Sequence, residues 1–181
     1  MAGFDVIQGT KVAIDGSQGP IVTISNPAAN ATEPVVTMTE SGSAMVGWIN
    51  TSTVEDSIET ASIAADGTVG APVSRSVAGP VGQPAQDLSI SMGDDGTSGA
   101  SWIKYDGTNW IVQGVRIAAD GTSGTIHDLS ESTISAGAPS VSAVPPAAAG
   151  TPNSYRTFWP QGVGTESNVA SREITSADTV S

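Results

Sequence analysis

The chain has 181 residues, 18 acidic side chains against 6 basic ones, a formal charge of −12 and no cysteine. Such a field repels nucleic acid and anionic membrane surfaces, and the missing thiols exclude disulfides, cysteine nucleophiles and cysteine–zinc sites. Aromatics make up only 4 % of the residues, so the core must come from Val, Ile and Ala, while 21 Gly and 11 Pro suit many short strands.

In chain order, the first expected strand covers 7–11; Asp15-Gly16-Ser17 then turns the chain toward a strand over 21–25. Strands are next expected over 34–39, 44–50 and 58–65, and Asp66-Gly67-Thr68 leads into another over 72–77. A second set covers 86–92, 99–105 and 110–119, after which Asp120-Gly121-Thr122 leads into a short fourth strand. The last set covers 140–144, 155–159 and 168–174. Asp-Gly marks a tight turn because glycine supplies the positive φ such turns need. The segments 26–31, 78–85 and 145–153 are rich in Gly, Pro, Ala and Asn, too broken for helices and too short to separate domains.

These sets are copies of one unit. Trp48, Trp102 and Trp159 stand 54 and 57 residues apart, each in a similar frame of strands closed by a turn. Ile7-Gln8-Gly9-Thr10-Lys11 matches Val112-Gln113-Gly114-Val115-Arg116 at an offset of 105, or two periods. The chain therefore opens on the third strand of a unit and ends on the third strand of another, with thirteen strands expected. A period near fifty residues built of short strands implies an all-β protein, a β-propeller-like array of about three and a half four-stranded blades. The expected organisation is one repeat domain over 1–181, with a partial blade at 1–25, blades at 33–77 and 86–130, and an incomplete blade at 138–181. A two-sheet β-sandwich is the alternative. Because a third-position strand lies at both ends, one chain cannot complete every blade. An unpaired strand edge is a template for another chain, so a homo-oligomer or strand exchange is expected, and a four-bladed ring with one irregular blade is the alternative.

The Trp strand followed by paired Asp-Gly-Thr turns, clearest from Ala100-Ser101-Trp102 through Thr122, resembles blades of large bacterial surface β-propellers. The resemblance covers almost the whole chain and implies an adhesive or scaffolding role. The sequence has no Gly-His and no Trp-Asp of the WD40 kind. Asp94-Asp95-Gly96-Thr97 before Trp102 is faintly similar to the Asp-box of sialidase-type propellers, but the Ser and Trp are out of register and that activity does not carry over.

Few residues suggest chemistry. His127 is the only histidine and lies beside Asp128 without an evident nucleophile; a strand histidine is the expectation. Asp94 and Asp95 break the repeat at a hairpin and are the candidate ligands for Ca²⁺, against the plainer expectation of a solvated turn and no cofactor. Trp48, Trp102 and Trp159 are expected to pack between blades rather than stack on sugars. Tyr105 and Trp110 flank a hairpin end, where they form either a small binding platform or an ordinary cross-strand aromatic pair. Lys11, Arg116 and Arg172 share a place in third strands and relieve like-charge repulsion.

No run is long enough to cross a membrane, so no membrane insertion is expected, and Met1-Ala2-Gly3-Phe4-Asp5 shows no signal peptide. A surface of Ser, Thr, Asn and Gly suits an extracellular or virion setting. The expected function is a non-catalytic structural or interaction protein, self-assembling as a virion component or secreted adhesin. The alternative is a carbohydrate-binding lectin, with a glycan or another protein as partner; a glycan hydrolase is the remaining possibility.

Overall fold

A computed structural model describes residues 3–51, 56–76, 84–146, 148–163 and 166–181. Over these the chain is all-β, with thirteen strands and no helix. The first sheet is β1 (Gln8–Gly9) and β2 (Val22–Thr23). The second is β3 (Ala31–Met38), β4 (Ala44–Asn50), β5 (Ser57–Ile63) and β6 (Val73–Ser74). The third is β7 (Ala85–Met92), β8 (Ser98–Tyr105), β9 (Trp110–Ile117) and β10 (His127–Asp128). The fourth holds β11 (Ser140–Val144), β12 (Ser154–Val163) and β13 (Glu166–Ile174). Each sheet is an antiparallel meander of sequence neighbours, and none closes into a barrel.

The period-two alternation of each strand divides its side chains between the sheet before and the sheet after. Three apolar clusters result. Ile7 and Ile24 of the first sheet region meet Val46, Trp48 and Ala61 of the second. Met45, Ile49 and Ile58 of the second meet Ala100, Trp102, Val115 and Ile117 of the third. Ile103, Val112 and Leu129 then meet Trp159 and Ile174 of the fourth. Each tryptophan thus packs against the preceding sheet. Residues 44–49 and 98–103 are buried without a break, because β4 and β8 have a sheet on both sides. In β12 only one face is covered: Tyr155, Thr157 and Trp159 are buried while Arg156, Phe158 and Pro160 are exposed.

The fourth-position strands are shorter than the expected 21–25 and 72–77, at two residues each for β2, β6 and β10. A serine hydroxyl replaces the next backbone partner. Ile7, Ile58 and Val112 donate their amide N–H to Ser25, Ser76 and Ser130 Oγ at 2.9, 2.9 and 2.8 Å. Residue 77 of the expected 72–77 strand lies outside the described residues, as does most of the 78–85 loop. The fourth sheet is longer than expected: β12 and β13 pair from Tyr155↔Ile174 out to Val163↔Glu166.

Two repeat features were not evident in the sequence. In β3 and β7 the ladder shifts register between Thr32 and Val35 and between Gln86 and Ser89. Glu33 and Asp87 sit in these bulges with φ of 52°, left-handed backbone that non-glycine residues rarely adopt. The second concerns a position one step from the buried serine. Ile24 and Leu129 lie there over Gly9 and Gly114, where an added Cβ would stand 3.0 and 2.8 Å from the branched side chain. The second sheet instead has Thr60 and a buried Arg75, whose Nε donates to Thr60 Oγ1 at 2.8 Å. Arg75 also donates to the Gly121 carbonyl at 3.0 Å and to Ser123 Oγ.

One expected equivalence is corrected by the registers. Trp102 lies opposite Gln113 and Trp159 opposite Ala170, so Glu173, not Arg172, holds the place of Arg116.

Candidate functional site

Tyr105 and Trp110 lie directly opposite each other at the open end of the β8–β9 hairpin. Their ring centroids are 5.3 Å apart and the planes tilt by 51°. Asp106 Oδ1 accepts the amides of Thr108 and Asn109, both at 2.8 Å, which fixes the turn between them. Trp110 is half-buried against the cluster of Leu129, Ala136 and Trp159. Its carbonyl accepts the Ala136 amide at 2.8 Å, while Asn109 Nδ2 donates to the Ser132 carbonyl at 2.7 Å. The pair is therefore presented on a braced hairpin, with each ring partly open to solvent.

Asp94 and Asp95 occupy the β7–β8 turn, both exposed. Asp95 Oδ1 accepts from the Thr97 amide at 3.0 Å and hydroxyl at 2.7 Å, and Oδ2 accepts from the Asn153 amide at 2.9 Å. Burial pushes the Asp95 carboxyl up, but the bonds from Asn153 and Thr97 outweigh it and hold the group below its ordinary value. Thr97 Oγ1 also bonds the Tyr155 hydroxyl at 2.7 Å. Burial raises the Tyr155 pKa. This corner locks the third sheet to the fourth, and an added Cβ on Gly99 would overlap the Tyr155 ring. Beside it lies an open depression of about 580 Å³ lined by Met92, Asp94, Asp95, Pro145, Thr151 and Asn153, among others. Among the described residues no group of three or more His, Asp and Glu could hold a metal ion.

Trp48 and Trp102 are fully buried and Trp159 nearly so. Their indole N–H groups donate to Glu59 Oε2 at 3.0 Å, Gln113 Oε1 at 3.2 Å and Gln161 Oε1 at 3.3 Å. His127 Nε2 lies 3.4 Å from Asp178 Oδ1, and Asp178 Oδ2 accepts the Thr125 amide at 2.7 Å. Burial raises the Asp178 carboxyl, while bonds from Thr125 and His127 bring it below its ordinary value. Lys11 Nζ is 3.5 Å from the Ala65 carbonyl, and Arg116 Nε donates to the Asn153 carbonyl at 3.3 Å. These two cations brace neighbouring turns.

The sequence reasoning missed the end surfaces. Val169 and Phe158 lie exposed on the uncovered face of the fourth sheet, and Val12 and Ile21 lie exposed around the first. The signal was the repeat itself: Val169 aligns with Val112, and Val12 with Ile117, both fully buried. No protein-family model matches the chain, and no curated protein matches it in sequence.

Proposed function

We propose that the chain is a non-catalytic structural or interaction protein whose sheets are propeller-like blades that self-assemble, in a virion or on an extracellular surface. The observation carrying this is the contrast between β4 and β8, buried on both faces, and β12, buried on one. The second and third sheets are covered on two sides, and among the described residues the first and fourth are covered on one. A repeat cannot bury its apolar face alone, and stacking of a second copy covers the faces left open. The sequential packing of antiparallel meanders, two of them four-stranded, supports the propeller-like form over a two-sheet sandwich, in which only one face of each sheet would be buried. The polar, acidic surface keeps such a particle soluble.

Native mass by light scattering over a concentration series tests the reading. A dimer or larger species is expected. A monomer at every concentration overturns it.

A carbohydrate-binding role is favoured by one observation, the half-exposed Tyr105–Trp110 pair on its braced hairpin. Aromatic faces so presented can stack on a sugar ring. Glycan-array binding that disappears in Trp110→Ala would establish it, and the absence of binding in the unaltered protein would remove it.

A further inference from the structure

We infer that the two ends of the array are complementary and join head to tail, the fourth sheet of one copy covering the first sheet of the next. The inference rests on the self-assembling reading and names the surface that performs it. Three internal interfaces supply the pattern. Ile7 shares a cluster with Ile63, Ile58 with Ile117, and Val112 with Ile174. In each case the cluster joins a residue near the start of a third-position strand to one at the end of the next such strand. The same positions recur at the two ends of the array. Val169 is the fourth sheet's equivalent of Ile58 and Val112, and Val12 is the first sheet's equivalent of Ile117 and Ile174.

Exposure singles these two out. Val112 and Ile58 are 0 % exposed, whereas Val169 is 76 % exposed. Ile117 and Ile174 are 0 % and 1 % exposed, whereas Val12 is 59 %. Ile21 follows the same rule: its counterpart Ile126 packs on the cluster of Ile58 and Ile117, while Ile21 itself is exposed. Apolar side chains are thus retained at the places where a neighbouring sheet would bury them. Docking sets Val169 of one copy against Val12 and Ile21 of the next.

Phe158 lies on the same uncovered face as Val169 and is likewise exposed, and adds apolar surface to that end. The contact is heterologous, so it closes a ring or propagates, according to the angle between copies. Each copy carries a formal charge of −12, so added salt strengthens the joint.

The test uses Val169→Asp and Val12→Asp, both at exposed positions where thermal unfolding should change little. Sedimentation velocity on the full chain should show each variant monomeric at tenfold the concentration at which the unaltered protein associates. Mixed in equal amounts, the variants should form a one-to-one heterodimer, because each retains the end the other lacks. If both variants associate as the unaltered chain does, self-assembly stands and this surface is wrong. If only Val169→Asp disrupts association, or the mixture stays monomeric, the head-to-tail joint is overturned. An unaltered chain that is monomeric throughout overturns the joint and the self-assembling reading together.

Discussion

Ser130 Oγ accepts the amide proton of Val112 at 2.8 Å, and both groups are buried. The Leu129 amide donates to the Val112 carbonyl at 2.7 Å, so the backbone of one third-strand residue is held by two adjacent residues 17 and 18 positions later. The same pair of bonds joins Ile24 and Ser25 to Ile7, and Arg75 and Ser76 to Ile58. A two-residue strand has too few ladder bonds to hold itself, and the serine hydroxyl supplies what is missing.

Ser130→Ala leaves the Val112 amide buried without an acceptor. An orphaned buried donor costs about 1–3 kcal/mol. Denaturant unfolding should show a lower midpoint with an unchanged slope. Thermal unfolding should fall by roughly 2–4 °C for each kcal/mol lost in a chain of this size. Ser130→Thr, which keeps the hydroxyl, should recover part of the loss. An unchanged midpoint in Ser130→Ala would show that the bond contributes nothing net.

Much of the fold was legible because the repeat superimposed independent copies of each strand. The central Trp strands and Asp-Gly turns follow from residue type: alternating apolar residues, then a glycine at positive φ, as at Gly67 and Gly121 with φ of 90° and 87°. The short strands were overestimated because Ser25, Ser76 and Ser130 replace a backbone ladder with a side-chain bond, and a serine after an apolar residue looks like more strand. The bulges at Glu33 and Asp87 were invisible for a different reason. Left-handed backbone is usually signalled by Gly or Asn, and here a register shift in the ladder places two exposed carboxylates in it. Of the candidate sites, Asp94 and Asp95 stood out as breaks in the repeat. The partner that fixes Asp95, Asn153, comes from a loop 58 residues away that no local pattern connects to it.

Ser98→Ala should stabilise the protein. Ser98 and Ser101 carry buried hydroxyls that find no partner among the described residues. Ser98 pairs with Met92 as Ala44 pairs with Met38, so the second sheet already holds alanine at this place. Removing an unsatisfied hydroxyl without creating a large cavity should gain about 1 kcal/mol. A lower midpoint would mean that the hydroxyl is satisfied in solution, by an ordered water.

Asp95 and Asp178 should make stability fall at acid pH. Both are held below the ordinary carboxylate value of 3.8 in the folded chain. A folded-state value below the unfolded one favours folding fully above the unfolded value. That contribution is lost as pH falls from about the ordinary 3.8 through the lower folded-state values. Asp95→Asn should lower the melting temperature at neutral pH and flatten the acid decline. The loss should be about 1 kcal/mol, at the low end for charge-assisted bonds because the carboxylate is partly solvated. A decline on acidification as steep as in the unaltered protein would assign the acid sensitivity to other groups.

The sharpest test of the repeat as a physical unit is the Thr60–Arg75 pair. The first and third sheets solve this corner with glycine beneath a branched apolar residue, and the second solves it with threonine beneath a guanidinium. Burial pulls the Arg75 pKa down, which marks the cost of desolvating its charge. Arg75→Leu alone should destabilise: it removes the donor to the buried Thr60 hydroxyl and presses a leucine against the Thr60 side chain, which the close approach of Leu129 to Gly114 forbids. Thr60→Gly alone should also destabilise, by removing an acceptor from the buried guanidinium and loosening β5. Together they rebuild the Gly114–Leu129 arrangement of the third sheet. The double variant should therefore be more stable than either single one, with a coupling energy of at least about 1 kcal/mol in a double-mutant cycle. Strict additivity would mean that the sheets share a topology without sharing interchangeable packing.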